Sequence, residues 1–213
     1  NRLFALRPDG TVKWGPVVLP GAPGALGFPV IADFDGDGFP DIGVPSGDGT
    51  GYAANQQNYF SVVTRDGVVR GSYPINIWNG PNAASAFDFD ANGSWDAVIA
   101  SYERAMVLNG RTGSTLFSAD SPSGTLAEGP AVADIDGDGI ADFVVGSNWG
   151  GVGNFETAKG VRVFSSASGR APWAGTRRIW NQHAYSITNI NDDLSVPRNP
   201  AASWQTSNSF RVN

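Results

Sequence analysis

The 213-residue sequence contains no cysteine, one histidine, one methionine, two lysines and three glutamates. Without cysteine there is no disulfide or thiolate chemistry. The lone His183 has no G-x-S-x-G or comparable nucleophile signature to serve. Glu103, Glu128 and Glu156 are too scattered to supply a carboxylate pair for glycosidic cleavage. Lys13 and Lys159 are the only lysines and no basic run occurs, which argues against a nucleic-acid partner. No apolar run approaches the ~18 residues a membrane span needs. What abounds is turn material: 28 Gly and 14 Pro suit many short strands better than long helices.

One nine-residue loop recurs three times. It reads Asp33-Phe34-Asp35-Gly36-Asp37-Gly38-Phe39-Pro40-Asp41, then Asp88-Phe89-Asp90-Ala91-Asn92-Gly93-Ser94-Trp95-Asp96, then Asp134-Ile135-Asp136-Gly137-Asp138-Gly139-Ile140-Ala141-Asp142. Acidic or amide side chains stand at positions 1, 3, 5 and 9. Like charges packed this closely repel unless a cation sits among them. Oxygen-only ligands at alternating positions suit Ca²⁺, which accepts six to eight oxygens in flexible geometry. Gly or its equivalent after position 5 permits the turn that brings the position-7 carbonyls of Phe39, Ser94 and Ile140 toward the ion. The predicted ligands are therefore Asp33, Asp35, Asp37, Phe39 and Asp41; Asp88, Asp90, Asn92, Ser94 and Asp96; and Asp134, Asp136, Asp138, Ile140 and Asp142. Metal-free surface turns rich in Asp and Gly are the competing reading, and three copies in matching contexts weigh against it.

An EF-hand would need a bidentate Glu at position 12 and flanking helices. Position 12 is Val44, Ile99 or Val145. The flanks, such as Val30-Ile31-Ala32 and Phe143-Val144-Val145, read as short buried strands. Each loop is thus expected to join two strands of a hairpin, with the position-9 Asp closing the site. Eleven of the 20 acidic residues are loop Asp, so three Ca²⁺ would bring the formal charge of −6 to about zero (−6 + 3 × 2).

The loops begin 55 and then 46 residues apart. The step is shortened where the connection from Ser101 to Met106 replaces the longer ones from Ser46 to Phe60 and Ser147 to Val161. Each unit reads strand, metal loop, strand, connection, strand, turn, strand, with Asp66-Gly67 or Asn109-Gly110 marking the second hairpin. Four antiparallel strands at this period describe propeller blades. The expected fold is all-β: a propeller-like array of about four blades. The expected divisions are a half-blade at 1–20, repeats at 26–75, 82–120 and 128–174, and a degenerate half-repeat and tail at 175–213. Asn189, Asn191 and Asp193 fall on the period as a worn fourth loop, with Pro197 at position 9 and no metal expected. The terminal half-blades are expected either to pair and close a small ring or to belong to an arc of a larger propeller. Asn1-Arg2-Leu3-Phe4-Ala5-Leu6 already reads as a strand, so a longer precursor is expected.

The stretches 31–41 (Ile-Ala-Asp-Phe-Asp-Gly-Asp-Gly-Phe-Pro-Asp) and 132–142 (Val-Ala-Asp-Ile-Asp-Gly-Asp-Gly-Ile-Ala-Asp) resemble FG-GAP/VCBS repeats, related to the blades of integrin α-subunit propellers. The resemblance covers about residues 1–170, and the tail from 177 resembles one that follows such repeats in large bacterial surface proteins. It implies Ca²⁺ in the loop between the first two strands of each blade and an extracellular or cell-surface setting, of bacterial type. The second loop departs from the pattern at Ala91 and Asn92 and is expected to bind more weakly.

The metals are expected to be structural. Function is then expected on the opposite face, where Tyr52, Tyr59, Trp78, Trp149 and Phe155 stand amid Gly and Asn and suit a carbohydrate or protein ligand. Packing between blades is the other reading of those aromatics. Residues 177–185 are expected to plug the ring, with Asn181 and His183 bonded to backbone. The resulting expectation is a calcium-stabilised extracellular binding or adhesion module that is not an enzyme. The alternatives are a polysaccharide lyase or hydrolase on the same scaffold and a passive, self-associating module of an adhesin or fibre.

Overall fold

The structure is a computed structural model that describes residues 2–21, 26–47, 57–75, 83–101, 103–123, 129–147, 159–166, 172–207 and 209–213. Thirteen strands form four antiparallel sheets, and the described residues include one short helix. No described helix is long and apolar enough to cross a membrane.

β1 (Arg2–Leu6) and β2 (Val12–Val18) form a two-stranded sheet. β3 (Val30–Ala32), β4 (Asp41–Ser46), β5 (Asn58–Val63) and β6 (Val69–Ile75) form the first four-stranded sheet, paired in sequence order. β7 (Ala84–Phe87), β8 (Asp96–Ala100), β9 (Arg104–Asn109) and β10 (Thr115–Asp120) repeat that order. β11 (Ala131–Ala133), β12 (Asp142–Ser147) and β13 (Gly160–Phe164) form a three-stranded sheet.

The sheets stack face to face, and this explains why the strands read as continuous apolar runs rather than alternating ones. Val30, Ala32, Phe34, Phe60 and Val62 of the first four-stranded sheet meet Ala84, Ala86, Ala97, Ile99 and Leu108 of the second. The other face of that second sheet carries Phe87, Val98 and Val107 into Val132, Phe143 and Val145 of the third. Leu3, Trp14 and Val17 cover Val44 and Val63. The first strands β3, β7 and β11 lie side by side on the inside.

A repeated latch sets the spacing of adjacent sheets. Trp14 Nε1 donates to the carbonyl of Arg65 at 2.8 Å, and its ring lies over Gly67, where a Cβ would come within 2.8 Å of it. One unit later, Tyr73 Oη donates to the carbonyl of Arg111 at 2.8 Å, and its ring lies over Gly113. Each turn glycine has positive φ (+83° and +71°), so backbone and space both select it.

The third repeat shows three strands, not four, among the described residues. After 167–171, which lie outside them, the chain leaves the sheet. Trp173 inserts between Phe89, Phe117 and Phe143, with ring centroids at 4.8, 5.7 and 5.8 Å. The ring gains apolar and aromatic contacts there.

The C-terminal residues do not pair with β1–β2, and no described strand pairing closes the array. The tail instead threads the inside. Phe210 bridges Ile31 of β3, and Val212 bridges Ala86 of β7. Arg211 is 1% exposed. It donates to the carbonyls of Ala84 (2.8 Å) and Pro130 (3.2 Å), to Ser85 Oγ (3.2 Å) and to the carbonyl of His183. Asn213 Nδ2 reaches the carbonyl of Val132 at 2.8 Å. The inner strands end early and leave carbonyls facing inward, and the tail's amide and guanidinium groups satisfy them.

Candidate metal centres

Each metal loop spans the first two strands of a sheet, as the flanking apolar runs predict. Ala32 pairs Asp41, Phe87 pairs Asp96 and Ala133 pairs Asp142. Position 1 organises the turn. Asp33 Oδ1 accepts from the N–H groups of Gly36 (2.7 Å) and Asp37 (3.1 Å), and Oδ2 accepts from Gly38 N–H (2.8 Å). Asp88 accepts from the N–H groups of Asn92 (3.0 Å) and Gly93 (2.9 Å), and Asp134 from that of Gly137 (2.7 Å). The position-5 side chain accepts the position-7 N–H in all three loops: Asp37 from Phe39, Asn92 from Ser94 and Asp138 from Ile140.

These turns bring the carboxylates together. One oxygen from each of Asp33, Asp35 and Asp37 lies within 4.8 Å of the others; the same holds for Asp88, Asp90 and Asp96, and for Asp134, Asp136 and Asp142. Position 9 thus joins the cluster in loops two and three, and in loop one Asp41 lies near enough to Asp37 and Asp33 for their charges to raise its carboxyl. These three groups take in nine of the eleven predicted Asp ligands.

The buried position-9 groups carry the electrostatic strain. Asp96 is fully buried, its Oδ2 accepts from Phe89 N–H at 3.1 Å, and its Oδ1 has no hydrogen-bond partner. Burial, aided by repulsion from Asp90 and Asp88, pushes its carboxyl up to about 7. Asp41 is pushed up to about 6 by burial and by Asp37 and Asp33, and its Oδ2 is also unpartnered. Unpartnered buried oxygens beside clustered carboxylates are costly alone, and a hard divalent cation with oxygen ligands would relieve them. The residues present therefore fit such an ion.

Arginines from elsewhere in the chain also serve the loops, and sequence reasoning missed them. Arg70 on β6 forms an ion pair with the Asp35 carboxylate, and Arg111 donates to the Asp35 carbonyl at 2.5 Å. Arg178 Nε lies 4.0 Å from Asp134 Oδ2. No described basic side chain ion-pairs with the second loop's cluster. Nothing in the local sequence marks these partners, because each comes from a different strand or repeat.

A cation sits beside the worn fourth loop, on residues other than its predicted ligand positions Asn189, Asn191 and Asp193. Arg177 donates to Asp192 Oδ1 (2.8 Å), to the carbonyls of Ile187 and Ile190 (both 3.0 Å) and to Tyr185 Oη (3.1 Å). A guanidinium thus occupies an all-oxygen cage formed by residues 185–192. In the stretch 177–185, expected as a plug at the ring closure, the buried members are Ile179 and Tyr185. The His183 ring is exposed and meets Phe28 edge-on at 5.5 Å.

The loops are also joined to one another along one rim. Trp95 N–H donates to the Asp33 carbonyl at 3.0 Å. Ala174 N–H donates to the Phe89 carbonyl, and the Ala174 carbonyl accepts from Ala141 N–H, both at 2.9 Å. Of the aromatics assigned to the opposite face, Tyr52, Trp78, Trp149 and Phe155 lie outside the described residues. Tyr59 is half-buried on β5, opposite Ser46, and donates to Gln57 Oε1 at 3.1 Å.

Residues 88–145, from the start of the second metal loop to β12, match the family described as an FG-GAP-like repeat. The match takes in the second and third loops, and the first sheet repeats the same strand order and loop placement outside the matched stretch. Among solved structures, the chain is similar to the V. cholerae biofilm matrix protein Bap1 at 27% identity and a TM-score of 0.65, over 81% of this chain. It spans 27% of that protein's length. No curated protein matches the chain.

Proposed function

We propose that this chain is a calcium-stapled, non-catalytic module of an extracellular matrix or adhesion protein. The observation that carries the reading is the convergence of carboxylates in three loops of one pattern, the first two hydrogen-bonded directly and the second and third bridged by Ala174 along one rim. Ions there would be held by Asp33, Asp35 and Asp37; by Asp88, Asp90 and Asp96; and by Asp134, Asp136 and Asp142. The carbonyls of Phe39, Ser94 and Ile140 would complete them. Bound calcium would supply positive charge that cancels the repulsion and pins each hairpin. Each loop spends its side chains on its own backbone and its ion, which leaves little for chemistry on a substrate. The similarity to a biofilm matrix protein supports an extracellular setting with carbohydrate or protein partners.

The test is calorimetry on chelator-stripped protein. Two to three calcium ions per chain, with a higher melting temperature on loading, are expected. No binding, or binding without stabilisation, would overturn the staple.

A further inference from the structure

A groove opens beside the first two metal loops, on the rim rather than on the opposite face. It runs between the loops and helix α1 (Ser203–Thr206) of the tail. Trp204 projects into it and is 71% exposed, an unusual state for the largest apolar side chain. Phe39 lines the groove at 47% exposure, and the half-buried Trp95 also lines it. The remaining described lining mixes apolar side chains, such as Ile187 and Val212, with neutral polar ones, Gln205, Ser207 and Ser209, and one carboxylate, Asp33. The Gln205 amide has no hydrogen-bond partner among the described residues.

Charge decides among ligand classes. The one charged side chain in the lining, Asp33, already accepts three backbone N–H groups. No Lys or Arg lines the groove among the described residues; Arg65 lies over the Phe39 ring at 3.6 Å, outside the lining. An acidic polymer would find no cation to pair with, and a basic peptide would find no free carboxylate. A neutral sugar ring needs what is present: an aromatic face for its C–H surface, and amide and hydroxyl groups that donate and accept to its hydroxyls.

We infer that this groove is a binding site for neutral glycans, with Trp204 as the stacking platform and Gln205 as a hydroxyl-recognising group. The inference rests on the extracellular matrix reading above and names the ligand class and place. It also ties binding to the ion, because Phe39 and Asp33 belong to the first metal loop. Calcium loading would order one wall of the groove.

The test uses immobilised neutral gluco-, galacto- and manno-oligosaccharides, with alginate and a gelatin surface as comparators. The calcium-loaded chain is compared with Trp204→Ala, Trp204→Phe and Gln205→Ala, each checked for an unchanged melt. The expected result is binding to a neutral glycan, lost at least tenfold in Trp204→Ala, weakened in Gln205→Ala and largely kept in Trp204→Phe. Neutral-glycan binding that survives Trp204→Ala would overturn the groove and leave the matrix reading standing. Binding to alginate or gelatin alone would overturn the ligand class. No binding to any of these surfaces would overturn the inference and remove the carbohydrate side of the matrix reading, while the calcium stoichiometry would still stand or fall by calorimetry.

Discussion

Arg211 Nε donates to the carbonyl of Ala84 across 127 positions of the chain, at 2.8 Å, in a site closed to solvent. The same guanidinium serves Ser85, Pro130 and His183. It joins the inner edges of the second and third sheets to the tail. Arg211→Met should therefore leave several buried acceptors unpaired, at a cost on the order of 3 kcal/mol. A urea titration of the calcium-loaded protein checks this. A loss below ~1 kcal/mol would mean that water replaces the guanidinium without penalty.

Arg177→Met should destabilise the tail by about 2–4 kcal/mol, because the carbonyls of Ile187 and Ile190 and the Asp192 carboxylate lose their cation. Saturating calcium should not restore the loss, and the calcium stoichiometry should not change. A further ion bound by the variant would show instead that the worn loop is a metal site masked by the arginine.

Acidification should move the metal-free and calcium-loaded proteins in opposite directions. Asp41 and Asp96 are raised by burial to about 6 and about 7. A carboxyl raised on folding contributes stability that is fully present below its unfolded value near ~4 and is lost as pH climbs through the folded value. Metal-free protein should then melt higher at pH 5 than at pH 8. Calcium needs the ionised carboxylates, so its stabilisation should be largest at pH 8 and shrink toward pH 5. Melts with and without chelator at the two pH values check both signs.

Asp96→Asn separates the same two effects at one site. The amide keeps the shape and removes the buried charge. It should raise the melting temperature of the chelated protein and abolish calcium binding at the second loop, which calorimetry would read as one ion fewer. A lower melting temperature in chelator would show that the Asp96 charge is already compensated without metal.

Gly113→Ala should cost about 2–3 kcal/mol, since the residue has φ of +71° and a Cβ would come within 2.0 Å of the Tyr73 ring. Pairing it with Tyr73→Ala should recover the steric part of the loss but not the backbone part. A double-mutant cycle in urea gives the coupling. An additive cycle would show that Tyr73 does not press on this turn.

The all-β class and the loops were legible because their causes are local. Alternating Asp at positions 1, 3 and 5 folds back on the N–H groups of its own turn, as Asp33 does on Gly36 and Gly38. The strand–loop–strand reading of 31–44 and 132–145 needed no more than apolar runs around such a turn. That the described residues of the third sheet hold three strands was not legible. The gain from packing Trp173 into Phe89, Phe117 and Phe143 depends on three segments far apart in the chain. Arg177 and Arg211 looked like ordinary charges in the sequence, and only their burial against carbonyls gives them a role.

The sequence by itself determined the period, the strand pairs within each unit and the carboxylate loops, because hydrophobic runs, turn glycines and Asx-type bonds act over a few residues. Tertiary structure decided the course of the tail, the arginine beside the fourth loop, the joining of the loops into one rim and the groove at Trp204. Those depend on which unpaired carbonyls and apolar faces meet once the sheets stack, and no short stretch of sequence carries that information.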